Sequence, residues 1–268
     1  TGTGSNTTIA HTLGVVPGCI IVKRTDTTAD WAVYHRSLAN TEYLVLNTTA
    51  AKATGATWWN STTPTSAVFS VGTDASVNAS GGTYVAYIYA HDAGGFGLAG
   101  TDNVISCGSY TGAGSPYTGG SEINLGYEPQ WVLIKSAGNA TNWVMIDNMR
   151  GWGAGTSGVQ NWLYANTSGA ENVGGQLAYI TSTGFKPYGS SFTNGTGTFI
   201  YIAIRRGPMK VPTLGTSVYN NLANRVGTSA TATISGVGFP VDLMIPFNET
   251  SGSSKPFVDR LRGETNYL

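Results

Sequence analysis

Charge is scarce in this chain. Asp, Glu, Lys and Arg make up only 10% of 268 residues, and 14 bases balance 14 acids. Binding to a phosphate backbone requires a surplus of Lys and Arg, so no nucleic-acid partner is expected. No apolar run approaches the ~20 residues of a membrane-spanning helix, and no signal-peptide pattern is visible, so no membrane partner is expected either. The two cysteines, Cys19 and Cys107, are too few for a disulfide scaffold. They could pair with each other, but two small buried thiols is the plainer reading. Histidines number three: His11, His35 and His91. The chain contains no HExxH, no GxSxG and no Cys/His pairs at zinc spacing. The loop "GAGTSG" at 153–158 lacks the Lys of a phosphate loop. The acids scatter among turns and do not recur as a close pair of the kind a glycosidase needs. "DTTAD" at 26–30 is too sparse in acids for a calcium loop and reads as a hairpin tip. The residues therefore nominate no catalytic group, cofactor or metal, and the chain is not expected to be an enzyme.

What is present is glycine (37 residues) and aromatics at 11%, with seven Trp and fourteen Tyr. With few strong helix formers and many β-branched residues, the composition is that of an ordered all-β protein. The chain also repeats itself. "LGVVPGCIIVKR" from Leu13, "LGYEPQWVLIKS" from Leu125 and "VGFPVDLMIPFN" from Val237 align on Pro17, Pro129 and Pro240, which stand 112 and 111 residues apart. Trp31 and Trp143 are also 112 apart. "EYLVLNTTAA" at 42–51 answers "NWLYANTSGA" at 161–170, and "GGTYVAYIYA" at 81–90 answers "GTGTFIYIAI" at 195–204. Asp259, Arg262 and Gly263 follow Asp147, Arg150 and Gly151 by 112 residues.

The expected fold is therefore all-β, with tandem antiparallel β-sandwich repeats of about 110 residues: repeat 1 at 1–110, repeat 2 at 111–218 and a truncated repeat 3 at 219–268. The third copy stops in a strand whose counterparts run on, and "TGTGS" at 1–5 matches "TGAGS" at 111–115. The chain thus reads as a window on a longer protein, unless a neighbouring chain completes the part-copy by strand addition. Within a copy, the Pro-led run and the Trp-led run form a hairpin. "YLVLN" and "WLYAN" are third strands, "TWWNST" and "LAYITS" fourth, "AVFSVG" and "GFKPYG" fifth. "TYVAYIYA" and "TFIYIAI", apolar on both faces, are expected centrally. No helix is favoured, with at most a turn or two at "NNLANRVG", 220–227.

Two tryptophans are candidate contacts for a glycan or a protein partner. Trp58 adjoins Trp59, and strand neighbours face opposite ways, so one is expected in the core and the other exposed as a stacking platform. Trp152 lies in a Gly-rich insertion that repeat 1 lacks. Trp31, Trp131, Trp143 and Trp162 are assigned to the core. An Asp147–Arg150 pair is expected to fix a bend. Asn-x-Ser/Thr triplets, Asn47 and Asn166 among them, are read as products of composition.

The blocks "VVPGCIIVKR", "WAVYHRSL", "YLVLNTTAA", "PTSAVFSVG", "SVNASGGTYVAYIYA" and "GSYTGAGS" resemble a repeated β-sandwich domain of tailed-bacteriophage virion structural and tail-fibre-like proteins, especially of marine and cyanobacterial phages. The resemblance spans nearly the whole chain. Repeat 2 departs from it in "DNMRGWGAGTSGVQ" and "GFKPYGSS". The resemblance implies a tail-fibre or surface-fibre protein on the virion, with no assigned chemistry and no cofactor. It implies other virion proteins as partners, a homo-oligomer (a trimer first of all) and host-surface glycan as a further partner. Three readings stay open beside it: a capsid-decoration or head-fibre protein, a glycan-cleaving depolymerase, and a bacterial surface lectin.

Overall fold

The computed structural model describes residues 1–97, 99–115, 119–152, 160–207, 214, 219, 221, 236–238, 241, 243–245 and 258–259. The chain is all-β and divides into two compact units, Thr1–Lys210 and Val211–Leu268. In the first repeat, β1 (Thr7–Ala10), β2 (Pro17–Arg24), β3 (Trp31–His35), β4 (Glu42–Val45) and β5 (Ala53–Thr54) precede a one-turn helix α1 (Ala56–Trp59). Then come β6 (Val68–Val71), a second one-turn helix α2 (Ala75–Asn78) and β7 (Tyr84–Ala90). The large sheet has the order β5-β4-β3-β2-β7, and β1 pairs with β6 in a small sheet.

The second repeat runs β8 (Ile105–Ala113), β9 (Ile123–Asn124), β10 (Pro129–Ser136), β11 (Val144–Asp147), a 3-10 turn Asn148–Arg150, β12 (Gln160–Tyr164), β13 (Asn172–Gly175), β14 (Ala178–Thr181), β15 (Gly184–Pro187), helix α3 (Ser191–Asn194) and β16 (Thr196–Arg205). Its large sheet is β13-β12-β11-β10-β16-β8, and its small sheet is β14-β15-β9. The strand order of repeat 1 thus recurs, with β8 added beyond β16.

The repeats agree in register as well as in order. Cys19 opposes His35 and Tyr89, while Trp131, 112 residues on, opposes Asp147 and Ile204. Both Pro-led strands break register at the same place, between Pro17 and Cys19 and between Pro129 and Trp131. Proline has no N–H to give to the ladder. The Asn-x-Ser/Thr triplets have a structural role here. The Asn47 side-chain oxygen accepts from the Trp31 N–H at 2.8 Å, and the Asn166 oxygen accepts from the Trp143 N–H at 2.9 Å. Each Asn therefore satisfies the backbone where the second strand of the hairpin begins. Asn166→Ala is expected to cost about 1–2 kcal/mol, measured by denaturant unfolding; Asn47→Ala, at a more exposed site, should cost less.

The two sandwich repeats are packed together in one compact unit, Thr1–Lys210. Positions 110 and 111 both lie in β8, and among the described residues three cores run through this unit. Ile20, Val22, Ala32 and Tyr34 face Phe69, Val71 and Trp59 in the first. Val132, Ile134, Val144 and Ile146 face Phe185, Ala178 and Ile180 in another. The middle core joins the two repeats: Cys19, Ile21, Val33 and Leu44 of one large sheet pack with Leu133, Trp143, Ile200 and Ile202 of the other. The layers are small sheet, large sheet, large sheet, small sheet. The alternation is strict in β2, where odd residues face the shared core and even ones their own small sheet, as a strand buried on both faces requires.

Several local expectations are corrected. "TWWN" is helix α1, and its counterpart in repeat 2 is the strand β14. After α1, Asn60 and Ser61 take left-handed backbone (φ 51° and 46°), which ends the turn. Helices α2 and α3 are one turn each, capped by the side chains of Asp74 and Ser190, which accept from Ser76 N and Phe192 N, as Asp and Ser do at N-caps. β7 is an edge strand, not a central one. Its two-faced apolar pattern does not bring full burial: no residue of β7 is buried, and Ala86 and Tyr87 are exposed.

In Val211–Leu268, Leu243–Met244 (β17) pairs antiparallel with Val258–Asp259 (β18). Pro240, the Arg262 and Gly263 positions and the "NYL" end lie outside the described residues, as does nearly all of "NNLANRVG".

Candidate interaction site

Both sequence-nominated tryptophans are buried. Trp58 is 7% exposed and Trp152 3%. Because α1 is helical, Trp58 does not face out from a strand. It stacks on Tyr43 with centroids 3.7 Å apart and planes 9° off parallel, while Trp59 meets Tyr34 edge-on at 5.9 Å. Trp152 turns inward, donates its indole N–H to Ala178 O at 3.0 Å and meets Phe185 edge-on. The 153–158 loop itself lies outside the described residues. Neither ring presents a free face to a sugar.

The Asp147–Arg150 pair forms. Asp147 accepts from the Arg150 backbone N–H at 3.0 Å and from its guanidinium, which also reaches Glu171 at 3.0 Å. This closes the 3-10 turn ahead of the Trp152 insertion. In repeat 1 the same position is His35, which is also a turn cap: its Nδ1 accepts from Ser37 N at 3.2 Å. The other ring nitrogen donates to Tyr201 O at 3.1 Å, across the shared core. Both ring nitrogens are thereby used by a neutral imidazole. Burial, aided by Arg36 and His91 and opposed by the Tyr201 bond, lowers its pKa to about 4.

The remaining perturbed groups are structural too. Lys135 is fully buried; it donates to Asn139 O (3.0 Å), Thr141 Oγ1 (3.4 Å) and, from the other repeat, Thr49 O (3.2 Å). Burial lowers its ammonium to about 8. Cys19 and Cys107 are buried free thiols, not joined in a disulfide. Burial raises the Cys19 thiol well above its ordinary range and pushes Cys107 up to about 12. A thiolate is the reactive species. Iodoacetamide should therefore leave both cysteines unmodified in the native chain and label both in 6 M guanidinium (~6 M, a fully denaturing level), as read by intact mass.

Asp26, Glu42, Asp102, Glu128, Asp147 and Glu171 each engage an Arg or Lys. Among the described residues no group of three or more His, Cys, Asp or Glu could hold a metal ion. A cavity of about 10 Å³ lies between the large sheets, lined by Cys19, Val33, His35, Trp143 and Ile202 among others. That is about the room of a single water.

The surface that does offer aromatic contact centres on Trp31, a residue expected in the core. Trp31 is only partly buried and stacks on Tyr87 of β7, 46% exposed, with centroids 6.3 Å apart and planes at 20°. Lys23 Nζ stands 5.6 Å from the Trp31 ring centre. Trp143, the counterpart of Trp31, is covered by the other repeat; Trp31 lies where the shared core ends. Internal alignment alone could not show this, because it treats the two as equivalent.

No helix among the described residues is long and apolar enough to cross a membrane. Neither the curated proteins nor the solved structures gave a significant match. A family model, described as a domain of unknown function (DUF7483), matches residues 1–208. That span takes in both repeats together and ends near the limit of the compact unit Thr1–Lys210. The chain belongs to the DUF7483 family.

Proposed function

We propose that this chain is a structural protein of a bacteriophage particle, of tail-fibre or surface-fibre type, and that it contributes to adhesion at the host surface. The observation that carries this reading is the shared core. Two repeats fused through apolar sheet faces make a stiff block with little internal space, suited to bearing load in series. Low charge and hydroxyl-rich faces fit a protein that works outside the cell among many weak contacts, where multivalency supplies the affinity. The sequence resemblance to phage fibre-like repeats points the same way. Other virion proteins and further copies of the chain are the proposed partners, a trimer first. The Trp31–Tyr87–Lys23 cluster is the surface proposed to meet a glycan, because aromatic faces stack on sugar C–H groups while the ammonium reaches hydroxyls.

Gold-labelled antibody against the chain, imaged on intact particles by electron microscopy, tests the reading. Label on tail or surface fibres is expected. Label on the head would favour a decoration protein, and no label together with no peptides in particle mass spectra would overturn it. Release of reducing ends from host polysaccharide would favour the depolymerase reading. Tyr87→Ala should weaken binding to host cells several-fold without changing the unfolding free energy by more than about 0.5 kcal/mol.

A further inference from the structure

The two repeats differ at one sheet edge. In repeat 2, β16 pairs on one side with β10 and on the other with β8, residue by residue from Thr196–Ala113 to Ile204–Ile105. In repeat 1, β7 pairs with β2 alone. Among the described residues the other side of Tyr84–Ile88 has no strand paired to it; only at the far end does Cys107 Sγ donate to Ala90 O, at 3.8 Å.

The backbone groups left open can be identified. Thr25 N–H donates to Thr83 O at 2.8 Å. Residues alternate in direction along an antiparallel ladder, so Thr83, Val85 and Tyr87 point toward β2, and Tyr84, Ala86 and Ile88 point away. In repeat 2, Ala137 N–H bonds Thr198 O, so Phe199, Tyr201 and Ala203 point toward β8, opposite Tyr110, Gly108 and Ser106. The open groups of β7 stand at the positions of those β16 residues.

The entry to this edge is already built, and built identically. Gly2 N–H donates to Gly82 O at 2.7 Å, and Gly81 N–H to Gly2 O at 3.0 Å, matching the Gly112–Gly197 pairing. Thr3 N–H bonds the buried Asn78 Oδ1 at 2.7 Å, as Ala113 N–H bonds the buried Asn194 Oδ1 at 2.9 Å. Gly4 N–H and Gly114 N–H bond Asn78 O and Asn194 O at 2.9 and 3.0 Å. Gly2 and Gly112 pass so close to a carbonyl that an added Cβ would lie 2.2 Å from Ala79 O and 1.8 Å from Gly195 O. All the apparatus that steers β8 onto β16 is thus present in repeat 1, aimed along β7.

We propose that the free edge of β7 is an acceptor for one antiparallel strand of the β8 type, donated by another repeat of this kind and running straight into Thr1–Gly2. Its register is fixed: the residues at the places of Tyr110, Gly108 and Ser106 oppose Tyr84, Ala86 and Ile88. Its side-chain preference is also set. Gly108 is required opposite Tyr201, where a Cβ would meet the phenol at 2.5 Å. Opposite Ala86 there is no such ring, so this acceptor admits a larger apolar residue. An open row of N–H and C=O groups is a template for pairing, and in this chain the pairing joins one two-repeat block to the next.

The test compares amide hydrogen exchange, resolved by NMR, in two proteins: the chain itself and the chain with the Asn103–Tyr110 sequence joined ahead of Thr1. Val85 and Tyr87 amides should be protected in both. Ala86 and Ile88 amides should exchange freely in the first and about 100-fold or more slowly in the second. The added strand with Pro at its Gly108 position should lose that protection, and a scrambled strand should never confer it. The idea fails if the joined strand gives no protection. It also fails if Ala86 and Ile88 are already protected in the unextended chain: independence of concentration would mean the chain covers its own edge, and dependence would mean a second copy pairs edge to edge.

Discussion

Trp143→Ala is expected to destabilise the whole Thr1–Lys210 unit by about 3–5 kcal/mol, not the second repeat alone. The ring is 3% exposed and packs between the two large sheets, and its indole N–H donates to Val45 O, a carbonyl of the first repeat, at 3.1 Å. Truncation leaves a cavity bounded by both repeats and orphans an acceptor in the other one. The matching change in repeat 1 provides the control. Trp31 sits at the open margin, so Trp31→Ala should cost about 1 kcal/mol. Denaturant unfolding followed by a tyrosine probe in each repeat would show both probes moving together for Trp143→Ala.

The second large effect is acid sensitivity through His35. Its native pKa, lowered to about 4, lies below the ordinary value of 6.5. The unfolded chain therefore takes up this proton first as pH falls. The contribution is fully present above about pH 6.5 and is lost progressively down to about pH 4; below that it is constant. A difference of this size corresponds to about 3 kcal/mol. Stability measured by urea unfolding between pH 7 and 4 should fall by that amount in the wild type. His35→Gln removes the titration: the variant should be less stable at pH 7, and its deficit should shrink toward pH 4. Because His35 bonds Tyr201 O across the shared core, acid acts on the contact between the repeats.

The strands were legible because each begins at a chemical signal. Proline opens β2 and β10, tryptophan opens β3, and the blocks recur at a near-constant spacing. Their pairing was legible from the repeat itself. The face-to-face docking of the repeats was also written in the chain, though in a form easily read otherwise. "GCIIV" and "WVLI" are unbroken apolar runs. A two-sheet sandwich with one wet face asks for alternation; an unbroken run asks for cover on both sides, which here comes from the other repeat. The helix at "ATWW" was hidden because Trp favours strands and a single turn carries no periodicity. The core place of Trp143 was legible, but the fates of Trp31, Trp58 and Trp152 were not. Each depends on which surface another segment reaches, and equivalent positions in two repeats acquire different neighbours once the repeats pack on each other.

The central claim is that two repeats share one core and behave as one block. Calorimetry of the chain, repeated with Trp59→Ala and Phe185→Ala, tests it most directly, since those rings lie in the separate outer cores of repeats 1 and 2. The account predicts that residues 1–210 melt in one transition whose calorimetric and van't Hoff enthalpies agree, and that either substitution lowers that same transition. Two resolved transitions, with each substitution lowering only its own, would contradict it.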